Sequence, residues 1–246
     1  MTELRVFPLE GIPEVEEGDD LGALLAGAAE RAGGLEDGDV VVVAQKVVSK
    51  SEGRVVDLAS IEPSERAVEL AGDGDPRHVE AILRESKRIV RSRPPLLIVE
   101  TTHGFVCASG GVDASNAKGA GSLVLLPLDP DASAARLRDD LGTRTGRDVA
   151  VIVSDSFGRP WRQGTTDVAL GVAGLAPLLD LRGTVDAAGY ELRGTQIAVA
   201  DELAGAAELV LGKTRAVPAA VVRGYGATGD GTGRDLLMPP ERDLFR

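Results

Sequence analysis

Short apolar runs alternate along this sequence with stretches whose apolar residues recur at helical spacing. Two valine-rich runs, residues 40–43 and 149–153, predict buried strands, because β-branched side chains pack well on a pleated sheet. Shorter apolar runs predict further strands at residues 4–7, 96–99, 123–126 and 217–222. Helical spacing and capping residues predict helices from residue 19, within 63–91, and over 129–141 and 197–211. The alternation predicts a mixed α/β fold.

The strand predicted at 149–153 leads into polar residues that suit a binding site. It is followed by Asp155, Ser156, a glycine turn, Arg159 and Arg162. In α/β proteins ligands bind beyond the carboxyl ends of buried strands, where strand ends and loops converge. The two oxygen-bearing side chains suit Mg²⁺ or Mn²⁺, and the two arginines are candidates for holding a substrate anion. The alternative is a polar turn capped by Asp155, without a ligand.

A second strand-to-loop unit carries a similar set of oxygen ligands. A glycine pair precedes Asp113, Ser115 and Asn116. Asp113 and Asp155 on two such loops would let two carboxylates share one divalent ion, as in metal-assisted phosphoryl chemistry. A glycine-rich turn with an Asx-type cap is the structural alternative. Neither histidine has metal-ligand spacing, so zinc is not expected.

Basic residues occur in two further places. Lys46 and Lys50 follow the strand predicted at 40–43, and Lys50, flanked by serines, is the better candidate for a phosphate. Solvated charge at the strand end is the alternative. A cluster of basic residues at 84–93 could meet an anion, but it is expected to solvate one face of a helix that Pro94–Pro95 ends.

Charge and composition exclude several classes of partner. The 246 residues carry a formal net charge of −12, which disfavours nucleic acid and anionic membranes, although local arginines and a metal still admit a phosphorylated small molecule. No apolar run approaches the roughly 20 residues that a membrane-spanning helix needs. A single cysteine excludes an internal disulfide, and no charged-then-apolar leader begins the sequence, so a cytoplasmic protein is expected.

Two segments imitate nucleotide-binding motifs. Residues 211–214, Leu-Gly-Lys-Thr, end like a P-loop, but Ala207 stands where the first glycine should fall and a predicted helix precedes the segment. Residues 224–229 fit G-x-G-x-x-G, yet residues 230–233 cannot open a helix. Neither a P-loop nor a Rossmann fold is therefore expected, although the first segment can still contact a phosphate.

Six segments, in order along the chain, resemble one family, the coenzyme F420:L-glutamate ligases (γ-glutamyl ligases). They are residues 11–15 (GIPEV), 47–54 (VVSKSEGR), 111–116 (GVDASN), 154–159 (SDSFGR), 198–203 (AVADEL) and 243–246 (DLFR). Each segment alone is weak, whereas six in order are specific. The resemblance covers essentially the whole chain. It implies one γ-glutamyl ligase module over residues 1–246, a two-lobed fold of mixed sheets, and no fused C-terminal reductase domain.

The resemblance implies a GTP-dependent amide ligase of coenzyme F420 biosynthesis. The nucleotide γ-phosphate would activate a carboxylate of the deazaflavin precursor F420-0 as an acyl phosphate. The amine of L-glutamate would then displace phosphate, and further glutamates would be added through γ-linkages. Two divalent ions, Mg²⁺ or Mn²⁺, are implied, with K⁺ as a further candidate, and so is a homodimer. Divalent ions suit this chemistry because the carboxylate and the triphosphate are both anions.

The resemblance also implies roles for individual residues. Asp113 and Asp155 would hold one ion and carry the catalysis, and Ser156 would help to hold a second. The expected GTP contacts are Ile12, Pro13, Glu14, Val15, Gln45, Lys50, Asn116, Leu211, Gly212, Lys213 and Thr214. Three positions depart from the family: Gln45 replaces a small hydroxyl residue, Ser156 replaces the commoner threonine, and Lys213 replaces a neutral amide. An ammonium cannot ligate a metal, so Lys213 alters the expected second ion site.

Two rival functions stay open at this point. A metal-dependent phosphohydrolase could use the same Asp113 and Asp155, with water in place of the amine. A nucleotide- or deazaflavin-binding protein without catalysis is the second rival. Nucleotide turnover that depends on glutamate separates the ligase from both.

Overall fold

A computed structural model describes residues 3–114 and 121–245 of the chain. Its strands are β1 (Arg5–Pro8), β2 (Val40–Ala44), β3 (Val55–Asp57), β4 (Ser86–Arg93), β5 (Leu96–Thr101), β6 (Val106–Ala108), β7 (Ser122–Val124), β8 (Ala150–Arg159), β9 (Arg162–Ala173), β10 (Leu179–Asp180), β11 (Gln196–Ile197) and β12 (Ala219–Arg223). The α-helices are α1 (Leu21–Arg31), α2 (Gln45–Ser51), α3 (Glu65–Ala71), α4 (Pro76–Arg84), α5 (Pro130–Thr145) and α6 (Val199–Leu211).

Capping residues explain where several helices begin. Asp20, Asp75 and Asp129 each accept a hydrogen bond from a backbone N–H in the first turn of the helix that follows. Proline follows directly after the second and third of these caps, where its missing N–H has no cost. The starts of α1, α4 and α5 are therefore encoded locally, as the sequence predicted.

A five-stranded mixed sheet forms the centre of the protein, in the order β1-β12-β2-β8-β9. Strands β2 and β8 run parallel, with Val41 opposite Val151, and the other neighbours are antiparallel. Helices α1 and α5 cover one face and α6 covers the other, so the valines of β2 are fully buried. This double coverage is why the two valine runs are continuous rather than alternating.

Residues 55–114 and 121–126 build a second part with its own hydrophobic core. The three-stranded sheet β4-β5-β6, the pair β3-β7 and helices α3 and α4 contribute to it. A small cluster of Phe105, Leu126 and Leu170 joins this part to β9 of the central sheet. The mixed α/β class is confirmed, and the separate cores agree with an architecture of two lobes.

Three elements differ from the sequence expectations. The polar segment after β2 is not a strand end but helix α2. Residues 86–93 form strand β4 instead of prolonging α4, and Pro94–Pro95 lies at the turn to β5. Strand β8 does not end at Val153 but continues to Arg159 as a hairpin with β9. In the last two cases the partner strand supplies backbone hydrogen bonds that no local pattern reveals.

Residues 211–214, which end like a P-loop, follow a helix, as the sequence predicted, and not a strand. Gly212 ends α6 with a φ of +63°. Within residues 3–114 and 121–245, no helix is both long and apolar enough to cross a membrane.

Candidate active site

A cavity of about 280 Å³ opens where the parallel strands β2 and β8 leave the buried part of the central sheet. The loop after β1, helix α2, the hairpin of β8 and β9, and the segment after α6 form its wall. The lining residues are Ile12, Pro13, Glu14, Val15, Ala44, Gln45, Lys46, Val47, Lys50, Ser154, Asp155, Ser156, Asp167, Glu208, Leu211, Gly212, Lys213, Thr214, Ala216, Val217 and Pro218. Segments more than 200 residues apart in sequence thus share one concave surface.

Most residues expected at a nucleotide and metal site line this cavity. All the expected GTP contacts do so except Asn116, which lies outside the described residues, and Asp155 and Ser156 do so as well. Asp113 does not line it, but Lys46, which does, holds Asp113 with 2.6 Å between Nζ and Oδ2. The roles of these residues stay predictions.

The arginines expected to hold a substrate anion lie elsewhere. Arg159 lines a second cavity of about 550 Å³, together with the amino-terminal half of α6, and Arg162 lines neither cavity. The tip of the hairpin between them exposes Trp161, whose ring centroid is 5.0 Å from that of Phe245. The structure therefore separates the arginines from the first cavity instead of converging them on it.

Asp155 is a partly buried residue whose side chain lies at the wall of the first cavity. Burial raises the pKa of Asp155 to about 6. A hydrogen bond from the Ser156 backbone N–H and the charges of Lys46 and Lys213 oppose the rise, whereas the neighbouring Asp167 adds to it. An acid that is costly to ionise in the free protein is suited to a site that receives a cation.

Asp167, on β9, is a site residue that the sequence analysis did not identify. Its side chain is 5% exposed, and it accepts hydrogen bonds from the hydroxyls of Ser154 at 3.0 Å and Ser156 at 2.5 Å. In the described part of the chain, no lysine or arginine forms an ion pair with it. The available signal was an acid directly before the apolar run Val168–Ala173, because a charged residue in a buried strand is uncommon without a partner.

Three lysines bring positive charge to the cavity. Lys50 is almost fully buried and its ammonium donates to the carboxylate of Glu14, while Lys46 is paired with Asp113. Lys213 has no ion-pair partner among the described residues. This arrangement suits the binding of a ligand with anionic oxygens. The ammonium of Lys213 can pair with such an oxygen directly, and the carboxylates of Glu14 and Asp113 hold the other two ammoniums in place.

Gln45 contributes an unpaired hydrogen-bond donor. The residue is 1% exposed, and its Oε1 accepts a bond from the Ser49 hydroxyl at 2.8 Å. Its Nε2 has no hydrogen-bond partner among residues 3–114 and 121–245, although the residue lines the cavity. A buried donor left without a partner costs about 1–3 kcal/mol, so this amide is best explained by a ligand that accepts from it.

The donor set fits a hard divalent cation. Asp155 and Ser156 offer a carboxylate and a hydroxyl, the ligands that Mg²⁺ and Mn²⁺ prefer. Within the described residues, no three side chains of His, Cys, Asp or Glu come close enough to enclose a metal by themselves. Such a cation would therefore share its coordination with ligand oxygens or water, as Mg²⁺ commonly does with phosphates.

Comparison with known proteins identifies relatives of this chain. The sequence model of a family described as F420-0:Gamma-glutamyl ligase matches residues 11–224. A coenzyme F420:L-glutamate ligase of Methanothermobacter thermautotrophicus is 46% identical over 99% of both chains. A protein with the same name from Methanocaldococcus jannaschii is 46% identical over 86% of both chains. Another, from Methanopyrus kandleri, is 45% identical over 99% of this chain and 98% of the relative.

Proposed function

Because this chain belongs to the F420-0:gamma-glutamyl ligase family, we propose that it is a coenzyme F420:L-glutamate ligase that uses GTP. It joins L-glutamate to the deazaflavin precursor F420-0 and adds further glutamates through γ-linkages. The observation that carries this proposal is the 46% identity with a ligase of that name over almost the entire length of both chains.

The charges of the first cavity support an anionic nucleotide as co-substrate. Lys50 and Lys213 present ammoniums, and the Gln45 amide supplies a donor for a phosphate oxygen. We assign the phosphates of GTP to these groups, with the loop Ile12–Val15 and the segment after α6 against the remainder of the nucleotide. Ser49 holds the Gln45 amide, so this donor is oriented before the ligand arrives.

Asp155 and Ser156 are the groups that would hold a divalent cation, and Asp113 is paired with Lys46, which lines the same cavity. The bound cation would supply positive charge between two anions that otherwise repel each other, the triphosphate and the carboxylate of F420-0. The raised pKa of Asp155 supports this assignment, because a cation offsets the cost of its charge.

The reaction divides into two displacements. A carboxylate oxygen of F420-0 bonds to the γ-phosphorus of GTP while the bond to the β-phosphate oxygen breaks, giving an acyl phosphate and GDP. The glutamate nitrogen then bonds to the acyl carbon, inorganic phosphate leaves, and the amine loses a proton to solvent or a protein base. The lysines of the cavity hold the phosphate oxygens in line for the first displacement.

Phosphate release from GTP in the presence of Mn²⁺ tests this function, with each co-substrate added or omitted. We expect release that requires both F420-0 and L-glutamate, and a product heavier by one or more glutamyl residues. Release that ignores glutamate would establish a phosphohydrolase instead, and binding of GTP without any release would establish a non-catalytic binding protein.

Three further properties remain proposals. We propose a homodimer, two divalent ions per active site and activation by K⁺. Light scattering on the purified protein tests the first, Mn²⁺ titration in the presence of GDP the second, and replacement of K⁺ by Na⁺ in the ligase assay the third.

A further inference from the structure

Asp167 is a buried carboxylate to which the proposed function assigns no role. It lies on β9 opposite Ser156 of β8, and it lines both cavities of the hairpin region. Burial of an ionised carboxylate is unfavourable unless hydrogen bonds or a cation compensate. The two hydrogen bonds that its carboxylate accepts in the described part of the chain come from neutral hydroxyls, so its position calls for an explanation beyond folding.

The geometry fixes the proton of Ser156. The Ser156 hydroxyl donates to Oδ1 of Asp167 at 2.5 Å, and the Ser154 hydroxyl donates to Oδ2 at 3.0 Å. A serine hydroxyl has one proton and two lone pairs. With the proton committed to Asp167, the lone pairs of Ser156 are left for the cavity that Ser156 lines.

A neutral hydroxyl binds a cation through such a lone pair. If its proton had no acceptor, the hydroxyl could rotate and point this partly positive proton at the cation, which would weaken binding. Side chains that hold a metal ligand in the correct orientation usually contribute about 10- to 100-fold to metal affinity. The negative charge of Asp167 also increases the electron density on the hydroxyl oxygen.

Asp167 is better suited to act through Ser156 than to bind the cation itself. Each of its oxygens already accepts a hydrogen bond from a hydroxyl, Oδ1 from Ser156 and Oδ2 from Ser154. In the chain as described, the acids near the cavity do not form a group of three that could enclose a metal.

We propose that Asp167 is a positioning residue that holds the Ser156 hydroxyl with its oxygen directed at the divalent cation. This inference rests on the proposed function only in requiring that the cavity binds such a cation. It makes Ser156 and Asp167 one unit, so that removing either has the same effect as removing both.

Binding of Mn²⁺ to the full-length protein, followed by the electron paramagnetic resonance signal of free Mn²⁺, tests the proposal without an activity assay. We expect Asp167→Ala, which leaves the Ser156 hydroxyl without its acceptor, and Ser156→Ala each to weaken Mn²⁺ binding by about 10- to 100-fold. The double variant should bind no more weakly than Ser156→Ala alone. Ser154→Ala is the matched control, since it removes the other hydroxyl from Asp167 and should change the affinity by less than about threefold.

Asp167→Glu separates orientation from charge. It keeps the negative charge but moves the carboxylate, so we expect weakened binding, whereas a purely electrostatic role predicts wild-type affinity. This variant also serves if Asp167→Ala does not fold, which a thermal melt of each protein decides.

Two results would overturn the positioning role. One is wild-type Mn²⁺ affinity in both Asp167 variants. The other is a loss caused by Asp167→Ala that is as large in the Ser156→Ala background as in the wild type, because Asp167 would then act independently of Ser156. Wild-type protein that binds no Mn²⁺ would instead refute the cation site in the proposed function, which distinguishes the two failures.

Discussion

The substitution Asp155→Asn should stabilise the metal-free protein at neutral pH while abolishing its Mn²⁺-dependent ligase activity. Asp155 lies at the cavity wall, where burial raises its pKa from an ordinary value of 3.8 to about 6. Asparagine is close in size and its side-chain oxygen can still accept the hydrogen bond from the Ser156 backbone. The change therefore removes the charge and leaves the packing intact.

The pKa gives the size and the sign of the effect. Below pH 3.8 the acid is protonated in both the folded and the unfolded state, and it contributes nothing. As the pH rises from 3.8 to 6, the unfolded state loses its proton first, so the folded protein is increasingly penalised. At 1.36 kcal/mol per pKa unit the full penalty, reached above pH 6, is about 3 kcal/mol. Since part of the side chain faces the cavity, we expect a gain of about 1–3 kcal/mol at pH 7.5 and about 1 kcal/mol or less at pH 4.5.

Urea denaturation after dialysis against a chelator measures this gain at both pH values. Asp230→Asn is the control, because Asp230 is exposed and has no hydrogen bond or ion pair among the described residues. Addition of Mn²⁺ should stabilise the wild type and have little effect on Asp155→Asn. A gain of equal size at pH 4.5 and pH 7.5, or a loss at pH 7.5, would refute the argument from the buried charge. Ligase activity near that of the wild type would remove Asp155 from the metal site.

Three further substitutions test other parts of the structure. Lys50→Ala should raise the KM for GTP by about tenfold or more, since a charged hydrogen bond contributes about 1.5–3 kcal/mol. Lys87 is exposed, so Lys87→Ala is the control and should leave the KM unchanged; the same KM for GTP in both variants would exclude Lys50 from the site. Lys213→Gln removes an ammonium whose charge acts on Asp155 and would repel a metal ion bound there. Titration with Mn²⁺ should therefore show severalfold tighter binding, and weaker binding would contradict a repulsion between Lys213 and the metal ion. Gly171→Ala would place a Cβ 2.0 Å from a backbone oxygen at the start of α5, so it should lower the free energy of unfolding by more than about 3 kcal/mol. Gly158→Ala, whose Cβ would meet no described atom within 4 Å, is the control and should lower it by less than about 1 kcal/mol. Similar urea midpoints for the two variants would show that α5 can move.

Every strand of the central sheet except β9, and most helices, could be predicted because their signals are local. The valine runs of β2 and β8 require burial on both faces wherever they are placed, and Asp20, Asp75 and Asp129 mark helix starts by hydrogen bonds within one turn. Strand β4 could not be predicted in this way. Its basic residues also fit a solvated helix, and only pairing with β5, including the ion pair of Arg88 with Glu100 on that strand, selects the extended form.

The candidate site likewise contains residues that local motifs predicted and residues whose position only the fold decided. Its segments from 11 to 15, 47 to 54 and 154 to 159 were recognisable as motifs, and the fold brings all three to one cavity. Arg159 was grouped with Asp155 because the two are close in sequence. In the extended hairpin, however, four residues span about 13 Å at 3.3 Å per residue, so Arg159 reaches the second cavity instead.

The sequence alone determined the fold class, the family resemblance and most of the residues at the candidate site, because each depends on residue types at short spacing. The tertiary structure alone decided that Lys50 is buried against Glu14, that Gln45 keeps an unpaired amide, and that Asp167 holds Ser156. The first and the third depend on pairs of groups that different strands and loops bring together, and the second depends on which groups the fold places around Gln45. Such pairing is set by the register of the sheet and by the packing of the whole chain, to which no single segment gives access.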